Sequence, residues 1–170
     1  GDQALVERVH NVLKELTGAE AALIVSNFRA AADMVRNRNT RVDLARYAGI
    51  LNPHEHGLSP YNTLAERLRN GIDLVVADGA GLIGGPPCGI IVGKREFVEA
   101  VSHDSFAALT RPDNLTLAAL SAILGIYEKG ERVIHQIPLW QLLTTPLENL
   151  EPRANRLALG IRHFHQVVVF

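Results

Sequence analysis

Asp73-Leu74-Val75-Val76-Ala77-Asp78-Gly79-Ala80-Gly81-Leu82-Ile83-Gly84-Gly85-Pro86-Pro87-Cys88-Gly89-Ile90-Ile91-Val92-Gly93 contains two short apolar runs, 73–77 and 89–93, on either side of a loop rich in glycine and proline. Neither run alternates apolar with polar residues, the pattern of strands buried on both faces. The loop has no Gly-Lys-Ser/Thr and no helix directly behind it, so it meets neither the Walker nor the Rossmann spacing. A tight strand-to-strand connection is the plainer reading, with a phosphate cradle of backbone N–H groups as the alternative.

Working outward, Leu5, Val9, Val12, Leu13 and Leu16 recur at helical spacing and Gly18 stops the run, which predicts a helix over 4–17. Ala21–Val25 reads as a strand, Ser26-Asn27 as a polar turn, and the alanine-rich stretch to Val35 as a helix. Val42 to Leu51 reads as a short strand and loop. Ser59 as N-cap and Pro60 in the first turn predict a helix over 60–70, ended by Asn70-Gly71. Helices are expected at 94–102, at 113–128 behind an Asp113 cap, at 138–144 and at 147–164, and Val167–Phe170 as a strand whose partner lies elsewhere. Strands alternating with helices give an α/β layer architecture with a mostly covered sheet.

The 170 residues carry 17 Lys+Arg against 18 Asp+Glu, a net charge of −1, so no global field holds a polyanion. No DNA partner is expected. The lone Cys88 forms no internal disulfide and no apolar run reaches membrane-spanning length, so a cytoplasmic protein without membrane association is expected. Three lysines against fourteen arginines matter because only lysine supplies an amine for a Schiff base.

Leu16–Asn27, Gly71–Val76 and Leu82–Arg95, in that order, resemble the bacterial selenocysteine synthase family, L-seryl-tRNA(Sec) selenium transferase. Arg111–Leu120 and Ile137–Leu143 resemble the stretch where that family passes from its large cofactor domain to its small C-terminal domain. The resemblance implies an α/β fold: a partial fold-type I large domain (α/β/α layers) over 1–130. A mostly helical part over 131–170 would lead into a small domain. It implies pyridoxal phosphate as cofactor, a homo-oligomer (dimer or higher) and tRNA as a partner. Between Val35 and Val42 the chain skips most of the family's central cofactor domain, as expected of a short paralogue or a stretch of a longer chain.

In the family the cofactor's lysine sits in Ser-Gly-Asp-Lys-Leu-Leu-Gly-Gly-Pro, which aligns with Asp78–Pro86. The lysine position is Gly81 and the acidic position before it is Ala80. No catalytic residue is therefore assigned. The resemblance places the cofactor phosphate at Ser26, Asn27, Phe28 and Arg29, where an N-cap alone is the simpler reading, and an aspartate facing the pyridine nitrogen at Asp43, otherwise a strand-end residue. Two readings stand: a transferase whose amine comes from elsewhere, and a non-catalytic scaffold or oligomeric binding protein.

Other features have simpler explanations. His54/His56 and His163/His165 lack a third ligand, so no metal site is expected. Cys88 reads as a small buried hydrophobe. Arg36, Arg38 and Arg41 read as a solvated turn, and Trp140 with Leu139, Leu142 and Leu143 as a packing face.

Overall fold

The computed structural model describes residues 2–36, 38–130 and 132–161. Its centre is a four-stranded sheet of β1 (Ala21–Val25), β2 (Val42–Leu44), β3 (Leu74–Asp78) and β4 (Gly89–Gly93), in the order β1-β4-β3-β2. β4 is antiparallel to both neighbours while β2 and β3 are parallel, so β1, β2 and β3 all point the same way. Their carboxyl ends share one end of the sheet. β3 and β4 are buried along their whole length, as the two unbroken apolar runs predict.

Each face is covered by helices. On one, Val75, Ala77, Ile90 and Val92 pack with α1 (Asp2–Thr17) and α6 (Asn114–Lys129), joined by Trp140 of α8 (Pro138–Leu143). On the other, Leu74, Val76 and Ile91 pack with α2 (Phe28–Val35), α4 (Arg95–Ser102) and Ala107 of α5 (Ser105–Leu109). The expected α/β/α layering is present. Between α6 and α8 lies α7 (Val133–Gln136), and α9 (Leu147–Ile161) follows, with no buried residue. Among the described residues, no helix is long and apolar enough to cross a membrane.

In the middle of the chain one helix begins later than its start signals predict. The helix expected at 60–70 is α3 (Leu64–Arg69), capped by Thr63 and not Ser59. The Thr63 hydroxyl accepts from Glu66 N while the Glu66 carboxylate accepts from Thr63 N at 2.7 Å. This reciprocal capping box satisfies two donors at once, which a proline at the first helical position does not. His54 and His56 lie on a 3-10 turn, Pro53–His56, where the His56 ring meets Trp140 edge-on at 5.5 Å. His54 is exposed, whereas His56 is half-buried against the Trp140 ring. The arginine turn is spent on ion pairs: Arg36 with Asp33, Arg38 with Asp104 and Arg41 with Asp73. The terminal strand expected at Val167–Phe170 and the pair His163/His165 lie outside the described residues.

Asp73 ties the far end of the sheet together. Its carboxylate accepts from Thr40 Oγ1 and Arg41 N at 3.0 Å and meets Lys94 Nζ at 2.7 Å. The Lys94 ammonium, then the Arg41 amide, holds this carboxyl well below the usual carboxylate range.

Candidate functional site

In open α/β sheets ligands bind beyond the carboxyl ends of the strands. Here that end gathers Ser26–Arg29 after β1, Ala45–Tyr47 after β2 and Gly79–Gly81 after β3. Asn27 is the N-cap of α2, its side-chain oxygen accepting from Ala30 N at 2.8 Å and its Nδ2 donating to Ser26 Oγ at 3.1 Å. Ser26 N donates to the Thr110 carbonyl at 2.6 Å, pinning the turn to the α5–α6 connection. α2 comes this close to the sheet because β4 opens with Gly89, where a Cβ would stand 2.7 Å from both the Ala31 Cβ and the Val25 side chain. Arg29 points outward, 78% exposed, into an ion pair with Asp33 at 2.8 Å. The four positions thus form a capped helix N-terminus, with Arg29 held away from it.

Asp43 does not join them. It is paired in register with Val75, on the α1/α6 face of the sheet, opposite α2, and it makes an ion pair with Arg67 of α3. Arg67 in turn stacks 4.8 Å from the Tyr61 ring centre. The acid on the α2 side is Asp78, two residues on from Val76 of that face. Arg46 reaches it with Nε 3.4 Å from Oδ2, while its guanidinium carbon lies 5.5 Å from the Phe28 ring centre and 5.8 Å from that of Tyr47. Arg46 belongs to no recognisable spacing, and Asp78, though it opens the segment aligned with the family motif, gives no sign in the sequence that it pairs with Arg46. The one signal was an aspartate at a strand end before glycine.

The 79–88 connection is sealed from within. Gly79 N donates to Cys88 O, Gly81 N to Asp78 O, and Gly85 N to Gly79 O, at 2.8 to 2.9 Å. The Tyr127 hydroxyl donates to the Ile83 carbonyl at 2.9 Å, and Trp140 Nε1 donates to the Leu82 carbonyl at 3.0 Å. Cys88 is fully buried, and burial, then the nearby Asp78 charge, pushes its thiol up to about 12. It is no nucleophile at neutral pH. Trp140 packs inside this chain, whereas Leu142 and Leu143 of the same predicted face are exposed.

An aldehyde cofactor held through this loop needs a lysine, and the residues do not fit one. A Cβ added at Gly81 would stand 2.9 Å from the Arg46 carbonyl oxygen, 3.1 Å from that of Asp78 and 3.1 Å from Tyr47 Cα. Lys94 follows β4 at the opposite end of the sheet, on Asp73, and Lys14 lies in the last turn of α1, which leads into the start of β1. Lys129 comes two residues after Tyr127 on α6, and residues two apart on a helix do not share a face.

A cavity of about 660 Å³ lies beside β1, lined by His10, Leu23, Ser102, Arg111 and Asn114 among others. Arg111 is its strongest cation, one residue from the Thr110 carbonyl that holds Ser26. Burial, then Lys14, lowers the His10 pKa from its ordinary value.

A family model described as L-seryl-tRNA selenium transferase matches residues 40–169. Curated relatives of that description include those of Methylocella silvestris, 31% identical over 166 residues (95% of this chain, 34% of that protein), and Proteus mirabilis, 35% identical over 153 residues (90% and 33%). The chain spans about a third of the length of the curated relatives it matches. Among solved structures, D-glucosaminate-6-phosphate ammonia-lyase superposes with a TM-score of 0.59 at 14% identity, covering 92% of this chain and 63% of that one. Cystathionine gamma synthase from Xanthomonas oryzae pv. oryzae gives 0.56 at 13% identity, covering 97% and 57%. These likenesses show that the chain shares the fold of those proteins, in keeping with the α/β/α layering expected of a fold-type I large domain. By its match over most of its length, the chain belongs to the L-seryl-tRNA selenium transferase family.

Proposed function

We propose that this chain takes part in the chemistry its relatives are named for, selenium transfer on seryl-tRNA, as a ligand-holding segment of a cytoplasmic homo-oligomer. In this reading the amine of the reaction comes from outside its own 78–86 loop. The family match over residues 40–169 supports it, and the closure of Gly81 by the Arg46–Tyr47 backbone, with no lysine at that end of the sheet among the described residues, puts the amine outside the loop. What remains suits an oxyanion: the α2 N-terminus capped by Asn27, the Arg46 guanidinium, and Arg111 in its cavity. Exposed Leu142, Leu143, Leu147, Leu150 and Leu157 along α8 and α9 support self-association. The tRNA partner rests on family membership.

The sealed loop also favours a second reading, a scaffold that binds no phosphorylated ligand. Calorimetric titration with pyridoxal phosphate and with inorganic phosphate separates the two. Reversible binding weakened about tenfold or more in Arg46→Ala supports the ligand-holding role. No binding of either compound at millimolar concentration supports the scaffold.

A further inference from the structure

Replacing a lysine by glycine ordinarily leaves room behind, and a site so altered can regain the side chain. The loop in this chain is built differently. The turn after β2 lies directly against it: the Arg46 carbonyl accepts from Asp78 N at 2.9 Å, and Gly49 packs where a Cβ would be 2.8 Å from that of Leu82. From the other side the Tyr127 hydroxyl and the Trp140 indole hold the Leu82 and Ile83 carbonyls. Gly84, at φ 72°, meets Ile137, which would stand 2.5 Å from an added Cβ. At Gly81 itself the three atoms nearest an added Cβ, Arg46 O, Asp78 O and Tyr47 Cα, are all backbone, so no side-chain rotation relieves the contact.

We infer that Gly81 is a packing requirement of this chain: the Arg46–Tyr47 backbone occupies the room a side chain at 81 needs, so a lysine restored there yields no aldehyde-reactive amine. This rests on the proposed function only in taking 78–86 as the loop that carries the amine in the family. The neighbouring Ala80 is exposed and serves as the internal control.

Three variants of the full chain test it: Gly81→Ala, Gly81→Lys and Ala80→Lys. Each is melted, then treated with pyridoxal phosphate and borohydride and mapped by peptide mass. Gly81→Ala is expected to lower Tm by roughly 5 °C or more, because the clash is with backbone, while Ala80→Lys stays within about 2 °C of wild type. Gly81→Lys is expected to show no adduct at position 81. Wild-type Tm in Gly81→Ala, equal losses at 80 and 81, or a mapped adduct at 81 in folded Gly81→Lys each overturns the inference. Should Gly81→Lys not fold, the comparison of Gly81→Ala with Ala80→Lys decides. Phosphate binding by the unaltered protein is a separate measurement, so this inference and the proposed function fail independently.

Discussion

Buried titratable side chains set the pH range over which this chain is stable. The Asp73 carboxyl is held low by Lys94 and by the Arg41 amide, so the stability it contributes is present above its unfolded value of about 4 and is lost as pH falls further. His10 is lowered by burial, so its contribution is present above about 6.5 and fades as acid protonates the unfolded chain first. Cys88 is shifted the other way: raised to about 12, it contributes below its unfolded value of about 8.5 and loses that contribution as pH rises toward 12. Denaturant titrations across pH are expected to show a plateau between about 6.5 and 8.5, and a Cys88→Ala variant to lose the part of the alkaline decline that begins near 8.5, keeping the part that starts above about 10, where burial also raises the Tyr127 hydroxyl. An unchanged decline would assign it to another group. The thiol is also expected to resist alkylation in the native protein and react once unfolded. At this same scale Trp140→Ala removes a fully buried ring and two hydrogen bonds, an expected cost of about 3–5 kcal/mol, against about 1 kcal/mol for Tyr127→Phe.

At the scale of elements, helix ends decide how securely the site is presented. Asn27→Ala removes the α2 cap and is expected to cost about 1 kcal/mol, and Thr63→Ala to cost a similar amount through α3, both read as shifts in the denaturation midpoint. Only the Asn27 change should weaken phosphate binding, since α3 lies on the other side of the sheet. β1, β3 and β4 were legible because unbroken apolar runs bounded by glycine or a polar turn admit few other readings. α3 was misplaced because Ser59-Pro60 is a strong local start signal, yet the reciprocal Thr63–Glu66 pair outcompetes it. The short helices α5 and α7, five and four residues long, carry too few turns to leave a periodic trace. Ser26–Arg29 could be located from sequence as a turn into a helix. The face on which Asp43 lies could not, because it depends on the β2–β3 register.

For the whole molecule, the three-layer fold was readable from alternation and resemblance, whereas the meeting of Arg46, Phe28, Asp78 and Gly81 was not, since it joins segments up to about fifty residues apart. That meeting separates two properties that the family resemblance had coupled, a phosphate-sized anion site and a Schiff-base amine. In the proposed reading the chain supplies groups suited to the first, while position 81, where the resemblance puts the second, is a glycine closed in by backbone. The most direct test is borohydride reduction of the wild-type protein saturated with pyridoxal phosphate, followed by intact mass and peptide mapping. The expected result is reversible retention of the compound with no stoichiometric adduct on Lys14, Lys94 or Lys129. A single lysine carrying one reduced cofactor per chain, with an absorbance band at 410–430 nm before reduction, would contradict it.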